Sequence, residues 1–242
     1  MLRLAVWSGP RNISTAMMRS WGNRSDTVVV DEPLYAHYLK VTRLPHPGID
    51  EILEHHEPDW RKVAAFLTGP VPDGKAIFYQ KQMAHHLLPE IGRDWLSSLT
   101  HVFLIRDPKE MLTSLRKILP EPRVEDTGLP QQVELFERVR NETGATPPVF
   151  DAKDVLDAPE PMLRLMCQSV GVSFDPAMLS WPAGPRETDG VWAKHWYGEV
   201  EKSTGFRPFQ PKDEPVPERM TSVYERCVEL YDLLSGHRIN AV

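Results

Sequence analysis

Apolar and polar positions alternate over Leu2–Trp7, where Leu2, Leu4 and Val6 interleave with Arg3, Ala5 and Trp7. That is the spacing of a short, largely buried strand. Thr15–Trp21 continues with a helical period, and the small-residue turn SGPRNIS separates the two. Thr27–Val30 is a β-branched run that predicts a buried parallel strand delivering Asp31 and Glu32 to its C-terminal edge. A polar helical region is expected over Ile49–Leu67. Ala76–Tyr79 reads as a third strand that ends in the polar residues Gln80, Lys81 and Gln82. The clearest strand is His101–Ile105, followed by Arg106-Asp107-Pro108 and a helix over Lys109–Ile118. There Asp107 is placed to cap the helix and Pro108 to open it. Gln131–Thr143 predicts another helix, Val149-Phe150 a short strand, and Pro159–Val170 an amphipathic helix burying Met162, Leu165, Met166 and Cys167. A terminal helix is expected over Pro217–Ser235, closed by Gly236.

Strands alternating with helices predict an α/β fold, a doubly wound and mainly parallel sheet flanked by helices. With 242 residues, 41% of them hydrophobic, the chain suits a single domain over 1–242 with a sizeable core. Its 23 prolines cluster in loops. Two stretches, 119–130 and 182–215, read as lid segments. The second carries Trp192, His195, Trp196, Tyr197, Phe206 and Phe209, which could stack on an aromatic base or pack over the core. A net charge of −6 gives no electrostatic support for nonspecific nucleic-acid binding, so any anion site must be built locally. Cys167 and Cys227 are too few for a disulfide framework and lack metal-ligand spacing, so buried thiols in a reducing cytoplasm are expected and no metal site. The N-terminal apolar stretch is short and has no basic leader, which argues against a signal peptide. No stretch is long enough to span a membrane.

The candidate chemistry lies where strands end. Backbone N–H groups at a helix N-terminus have no intrahelical partners and carry the positive end of the dipole, so SGPRNIS leading into a helix is an anion seat. Arg11 adds a cation that can fork onto phosphate or sulfate oxygens, and Ser14 and Thr15 add hydroxyl donors. The plainer alternative is a strand–helix turn capped by Ser14 or Thr15. Taken alone, Arg106 and Asp107 form an ordinary solvated pair, and Ser114 is a helix-surface serine. A parallel sheet changes that, because it can bring the tips carrying Arg11, Asp31, Glu32, Lys81 and Arg106 to one edge. Two separated arginines suit a ligand with two anionic groups, and a carboxylate between them suits proton abstraction. A Walker A loop requires G-x-x-x-x-G-K-[ST], yet counting from Gly9 its last three defining places hold Ser14, Thr15 and Ala16. A dinucleotide-binding G-x-G-x-x-G fails as well, with only Gly9 present.

Pro10-Arg11-Asn12-Ile13-Ser14-Thr15 resembles the first loop, Pro-(Arg/Lys)-Ser-Gly-(Ser/Thr)-Thr, of the sulfotransferases that use 3′-phosphoadenosine 5′-phosphosulfate. Their second signature is an arginine at a strand end with a serine eight residues later, which Arg106 and Ser114 reproduce. The stretch VFDAKDVLDAPEPMLRLMCQSVGVSFDPAML also resembles the bacterial branch of that family. The resemblance implies a P-loop-like sulfotransferase fold and sulfuryl transfer to a hydroxyl or amine of a small-molecule acceptor, without a metal. It further implies that Pro10, Arg11, Asn12, Ile13, Ser14 and Thr15 hold the phosphosulfate, that Arg106 and Ser114 hold the 3′-phosphate, and that Arg11 stabilises the leaving phosphate. Tyr197–Arg207 is similar to the loop that closes over the nucleotide. Family members often dimerise, which allows a homodimer. Two departures stand out: Ile13 replaces the usual glycine, and Lys81-Gln82-Met83 stands where the cytosolic branch has Lys-Thr-His. Bacterial members that draw a glutamate from the segment after the second strand make Glu32 the matching base, with Asp31, His85 and His86 as alternatives. Asp31, Tyr35, Lys81 and His85 are the candidates for contacting the acceptor. A P-loop-like small-molecule kinase and a noncatalytic nucleotide-binding relative are the competing functions.

Overall fold

A computed structural model describes residues 1–240. Its strands are β1 (Leu2–Ser8), β2 (Thr27–Asp31), β3 (Ile77–Met83), β4 (Thr100–Ile105) and β5 (Val149–Asp151), in one sheet of order β2-β3-β1-β4-β5. The strands run parallel, as the registers of β2 on β3 and of β4 on β5 show. The helices are α1 (Ser14–Gly22), α2 (Tyr35–Thr42), α3 (Ile49–His55), α4 (Trp60–Thr68), α5 (Pro108–Leu115), α6 (Leu129–Thr143), α7 (Ala152–Asp157), α8 (Pro159–Ser169), α9 (Ala193–Trp196), α10 (Gly198–Glu201) and α11 (Thr221–Ser235). The expected α/β fold, a parallel sheet flanked by helices, is present. Among the described residues no helix is long and apolar enough to cross a membrane.

Two compact units share the chain. One comprises residues 1–6, 14–100 and 175–206; the other comprises 7–13, 101–174 and the chain from Arg207 onward. In the first, Trp21 stacks on Tyr79 at 5.7 Å, and Arg19 of α1 pairs with Asp189 at 2.6 Å, both side chains fully buried. In the second, α11 packs on α6 and α5, the Phe103 and Phe136 rings meet edge to face, and Tyr231 donates a 2.6 Å hydrogen bond to Asp151 at the end of β5.

Several boundaries differ from the sequence expectation for identifiable reasons. β3 does not end at Tyr79 but runs to Met83, all seven residues buried. Its polar members carry their own partners inside: Gln80 donates to the Leu67 carbonyl at 2.9 Å, and Lys81 is neutralised by acids. The helical region over 49–67 is two helices, because Pro58 cannot continue the first and Asp59 caps the second by accepting from the Arg61 amide. α6 starts earlier than expected, at Leu129, with Gly128 in the left-handed conformation and Pro130 in the first turn. On α8, Leu163 rather than Leu165 joins Met162, Met166 and Cys167 in the core. α11 is entered by a 3₁₀ turn, Glu218–Met220, and its closing Gly236 keeps a right-handed conformation. Within 119–130 the chain makes a 3₁₀ turn, Val124–Thr127, with Thr127 buried; within 182–215, Trp192 and Tyr197 are buried.

The turn at Thr127 explains one glycine. A Cβ at Gly9, at the start of the loop after β1, would lie 2.3 Å from the Thr127 carbonyl oxygen, a backbone atom that cannot swing away. Gly9→Ala is therefore expected to destabilise the protein by about 1–3 kcal/mol, a fall of several degrees in Tm. Differential scanning calorimetry checks this, and an unchanged Tm would show that the contact yields without cost.

Candidate functional site

The loop between β1 and α1 folds as it does because two residues take unusual roles. Arg11 adopts a left-handed backbone conformation at φ 57°, rare for a side chain of its size. Asn12 ties the loop down: its amide donates to the Leu104 carbonyl at 2.9 Å, and its own carbonyl accepts from the Ile13 N–H at 2.7 Å. The Ile13 amide is thus already engaged. Arg11 then reaches α5, where its Nε donates to Ser114 Oγ at 2.9 Å, while Arg106 donates to the Arg11 carbonyl oxygen. The two motifs singled out in the sequence meet.

Sequence reasoning missed two members of this cluster. Glu110, one turn beyond Arg106 on α5, lies 3.5 Å from it as an ion pair, with its side chain buried. Lys212 comes from the proline-rich segment after α10; its amide donates to Glu110 Oε1 at 2.8 Å and its ammonium to the Glu110 carbonyl at 3.0 Å. The Arg106–Glu110 spacing is a readable i,i+4 signal, whereas nothing local marks Lys212. Arg106 and Lys212 share the Glu110 carboxylate while Arg11 and Asp107 also act on Arg106, so three cations face two acids, an excess of positive charge. Burial lowers the affinity of Arg106 for its proton, Glu110 opposes this and Arg11 adds to it; burial and then Arg106 lower that of Lys212. Arginine stays charged through such a shift. An anion placed here would relieve the mutual repulsion.

The end of β2 builds a second cluster. Register sets Asp31 directly beside Lys81 of β3, and Glu32, one residue past the strand, turns back with φ 41°. The Glu32 amide donates to the Lys81 carbonyl at 3.0 Å. Lys81 is therefore not at a strand tip, as the sequence suggested, but inside β3 and 1% exposed. Its ammonium donates to Asp31 Oδ1 at 2.9 Å, Glu32 Oε1 at 2.5 Å and Tyr197 Oη at 2.6 Å. Tyr197 in turn donates to Asp31 Oδ2 at 2.6 Å, which also accepts from the Gly190 amide at 3.1 Å. One cation faces two carboxylates, Asp31 buried and Glu32 partly so. Burial raises the Glu32 pKa and Asp31 raises it further, against the pull of Lys81. Burial works against the Lys81 charge, yet Asp31 and Glu32 hold its pKa well above the usual lysine value.

The remaining candidates form an aromatic cluster beside these acids. Tyr35, in the first turn of α2, stacks on His86 at 4.7 Å and meets Trp192 edge-on at 5.0 Å; its hydroxyl contacts His46 Nδ1 at 2.5 Å. Tyr38 stacks on the same His86, and His85 packs edge-on against Tyr38. Burial and then His85 push the His86 pKa well below the ordinary histidine value, which makes it a neutral and weakly basic ring. Ser14 and Thr15 open α1, with Ser14 buried. Among the described residues no three His, Cys, Asp or Glu side chains are grouped to hold a metal ion.

The chain is thus a parallel α/β protein with a cation cluster at the loop after its first strand and a lysine-bridged acid pair at the end of its second. The family follows from the sequence: a model described as "Sulfotransferase domain" matches residues 2–231, and the chain belongs to that family. In fold it is similar to a sulfotransferase domain from the curacin biosynthetic pathway, with TM-score 0.54, 14% identity, and 93% of this chain and 96% of that chain covered. A sulfotransferase from Alicyclobacillus acidocaldarius gives TM-score 0.54 at 11% identity, with 99% and 97% covered. Two Arabidopsis thaliana proteins, branched-chain-amino-acid aminotransferase-like proteins 2 and 1, are each 36% identical over 96% of this chain. The chain spans 41% of the length of each.

Lys81→Met leaves Asp31 and Glu32 buried without their cation and is expected to cost about 3–5 kcal/mol at about pH 7. In that variant Lys81 no longer opposes the burial that raises the Glu32 pKa, so the folded state binds the Glu32 proton more tightly than the unfolded chain does. The loss is therefore largest at the higher pH and shrinks at about pH 5, as Glu32 takes up its proton in the folded state. Urea denaturation at the two pH values measures both effects.

Proposed function

We propose that the protein transfers a sulfuryl group from 3′-phosphoadenosine 5′-phosphosulfate to the hydroxyl or amine of a small-molecule acceptor. The observation that carries this reading is the cluster of Arg11, Arg106, Ser114 and Lys212, where both family motifs meet around an excess of positive charge. Such a cluster fits a ligand with several anionic groups. Arg106, Ser114 and Lys212 would hold the 3′-phosphate; Arg11, the loop from Pro10 and the start of α1 at Ser14 and Thr15 would hold the phosphosulfate. When bound, that donor supplies an electrophilic sulfur with a phosphate leaving group.

Glu32 is the group we assign to accept the acceptor's proton, a role that typically contributes about 10²–10⁴-fold. Its raised pKa brings it closer to the working pH than an ordinary carboxylate, which suits a base. Asp31 is a poorer choice, because Lys81, Tyr197 and Gly190 already occupy both its oxygens. His86 is buried between two tyrosine rings. Arg11 offsets negative charge building on the departing phosphate. Tyr35 and Lys81 border Glu32, and His85 packs on Tyr38 and His86; this reading takes the three as the acceptor side. Buried free thiols at Cys167 and Cys227 suit a reducing compartment, and the reading includes a cytoplasmic location.

Calorimetric titration with 3′-phosphoadenosine 5′-phosphate tests the donor assignment. The wild type should bind it in preference to ATP with magnesium, and Arg106→Ala should bind about 10–100-fold more weakly, as expected for losing a charge-assisted contact. Preference for ATP with magnesium would instead indicate a kinase, and absence of binding would overturn the assignment. Glu32→Gln should lose about 10²–10⁴-fold in kcat while binding the nucleotide as the wild type does. An acceptor screen with labelled donor supplies that readout, with branched-chain amino acids as one arm because two plant relatives carry that word in their names. Nucleotide binding without transfer to any acceptor would favour a noncatalytic relative.

A further inference from the structure

Tyr197 lies 116 residues from Lys81 in sequence, yet its hydroxyl sits between the lysine and Asp31. Most hydrogen-bonding groups of that core are paired. The three ammonium protons of Lys81 go to Asp31, Glu32 and Tyr197; the single phenol proton goes to Asp31, whose other partner on the same oxygen is the Gly190 amide. The Trp192 indole N–H also points to Tyr197 Oη, at 3.3 Å. All of these groups except Glu32 are enclosed, and Glu32 alone keeps a side chain 12% exposed. An ammonium with three fixed acceptors cannot move toward one carboxylate without breaking a contact to another.

We propose that Tyr197 is a positioning residue for Glu32: by anchoring Asp31 and sharing the Lys81 ammonium, the segment from Gly190 to Tyr197 sets how readily Glu32 ionises. The proposal rests on the reading of Glu32 as the acceptor's base. Without the phenol, Asp31 loses a donor and attracts Lys81 more strongly, so the Glu32 anion is less well supported. Other charged or titratable groups facing this core are Tyr35 of α2 near Glu32, Tyr79 of β3 near Lys81 and Asp31, His86 near Lys81 and His56 near Asp31. Burial raises the pKa of both tyrosines, so they stay neutral while Glu32 titrates, and it lowers that of both histidines.

Carbon-13 carboxyl NMR of Glu32 in the full-length protein tests this independently of turnover. In Tyr197→Phe the Glu32 midpoint should rise by about one pH unit, and in Asp31→Asn, where the competing negative charge is gone, it should fall by a similar amount. The acid limb of kcat/KM should move in the same directions. Unmoved midpoints in both variants overturn the proposal, even where activity is lost, since a merely structural phenol would lower activity equally at every pH. Should Tyr197→Phe not fold, the fall in Asp31→Asn carries the test, and its absence overturns the proposal alone. Midpoints that move while the rate limb stays fixed overturn the assignment of Glu32 as base, and leave the electrostatic coupling to Tyr197 standing as a separate result.

Discussion

A buried ammonium constrains the first compact unit more than any other group. Lys81 lies in the middle of a strand, where a charge unaccompanied would cost several kcal/mol, so the fold must bring acids to it. The parallel register of β2 on β3 supplies Asp31, the reversal just after β2 supplies Glu32, and a distant segment supplies a phenol. Each delivery depends on a different level of structure. The same requirement leaves the cluster with one more carboxylate than it has cations; burial first, and then the neighbouring Asp31, make Glu32 reluctant to ionise.

Two of the four described non-glycine residues with positive φ, Arg11 and Glu32, each follow a strand and belong to one of the two charged clusters. Such conformations cost on the order of 1 kcal/mol or more and persist where the surroundings over-determine them. At Arg11 the surroundings are the Asn12 bridges and the hydrogen bond from Arg106; at Glu32 they are the Lys81 carbonyl and the following Tyr35 amide. In both cases the turn aims a charged side chain away from the line of its strand. The family's usual glycine at position 13 is not needed for that purpose, since the reversal falls at Arg11 instead.

Much of this was readable from the chain itself. β-Branched and alternating runs marked β1, β2 and β4, and the pairing of Arg11 with Ser114 and Arg106 follows two loop motifs about a hundred residues apart. What escaped has a common physical cause. Periodicity treats a polar residue as an exposed one and so ends β3 at Tyr79, although Gln80 and Lys81 are buried with partners that only the folded chain supplies. Lys212 and Tyr197 sit in proline- and aromatic-rich stretches without period, and their roles come from tertiary contacts. The division of 49–67 is different: Pro58 carries a legible stop signal, and the polar pattern around it masks the break.

The distance in sequence between Lys81 and its phenol also orders events during synthesis. Chains grow at about 5–20 residues per second, so the acid–lysine core waits on the order of ten seconds before Tyr197 can reach it. Until then Lys81 lacks one of the three acceptors, and Asp31 one of the donors, that they have in the folded chain. The first unit is therefore completed only when residues 175–206 have left the ribosome, after most of the second unit's residues already have.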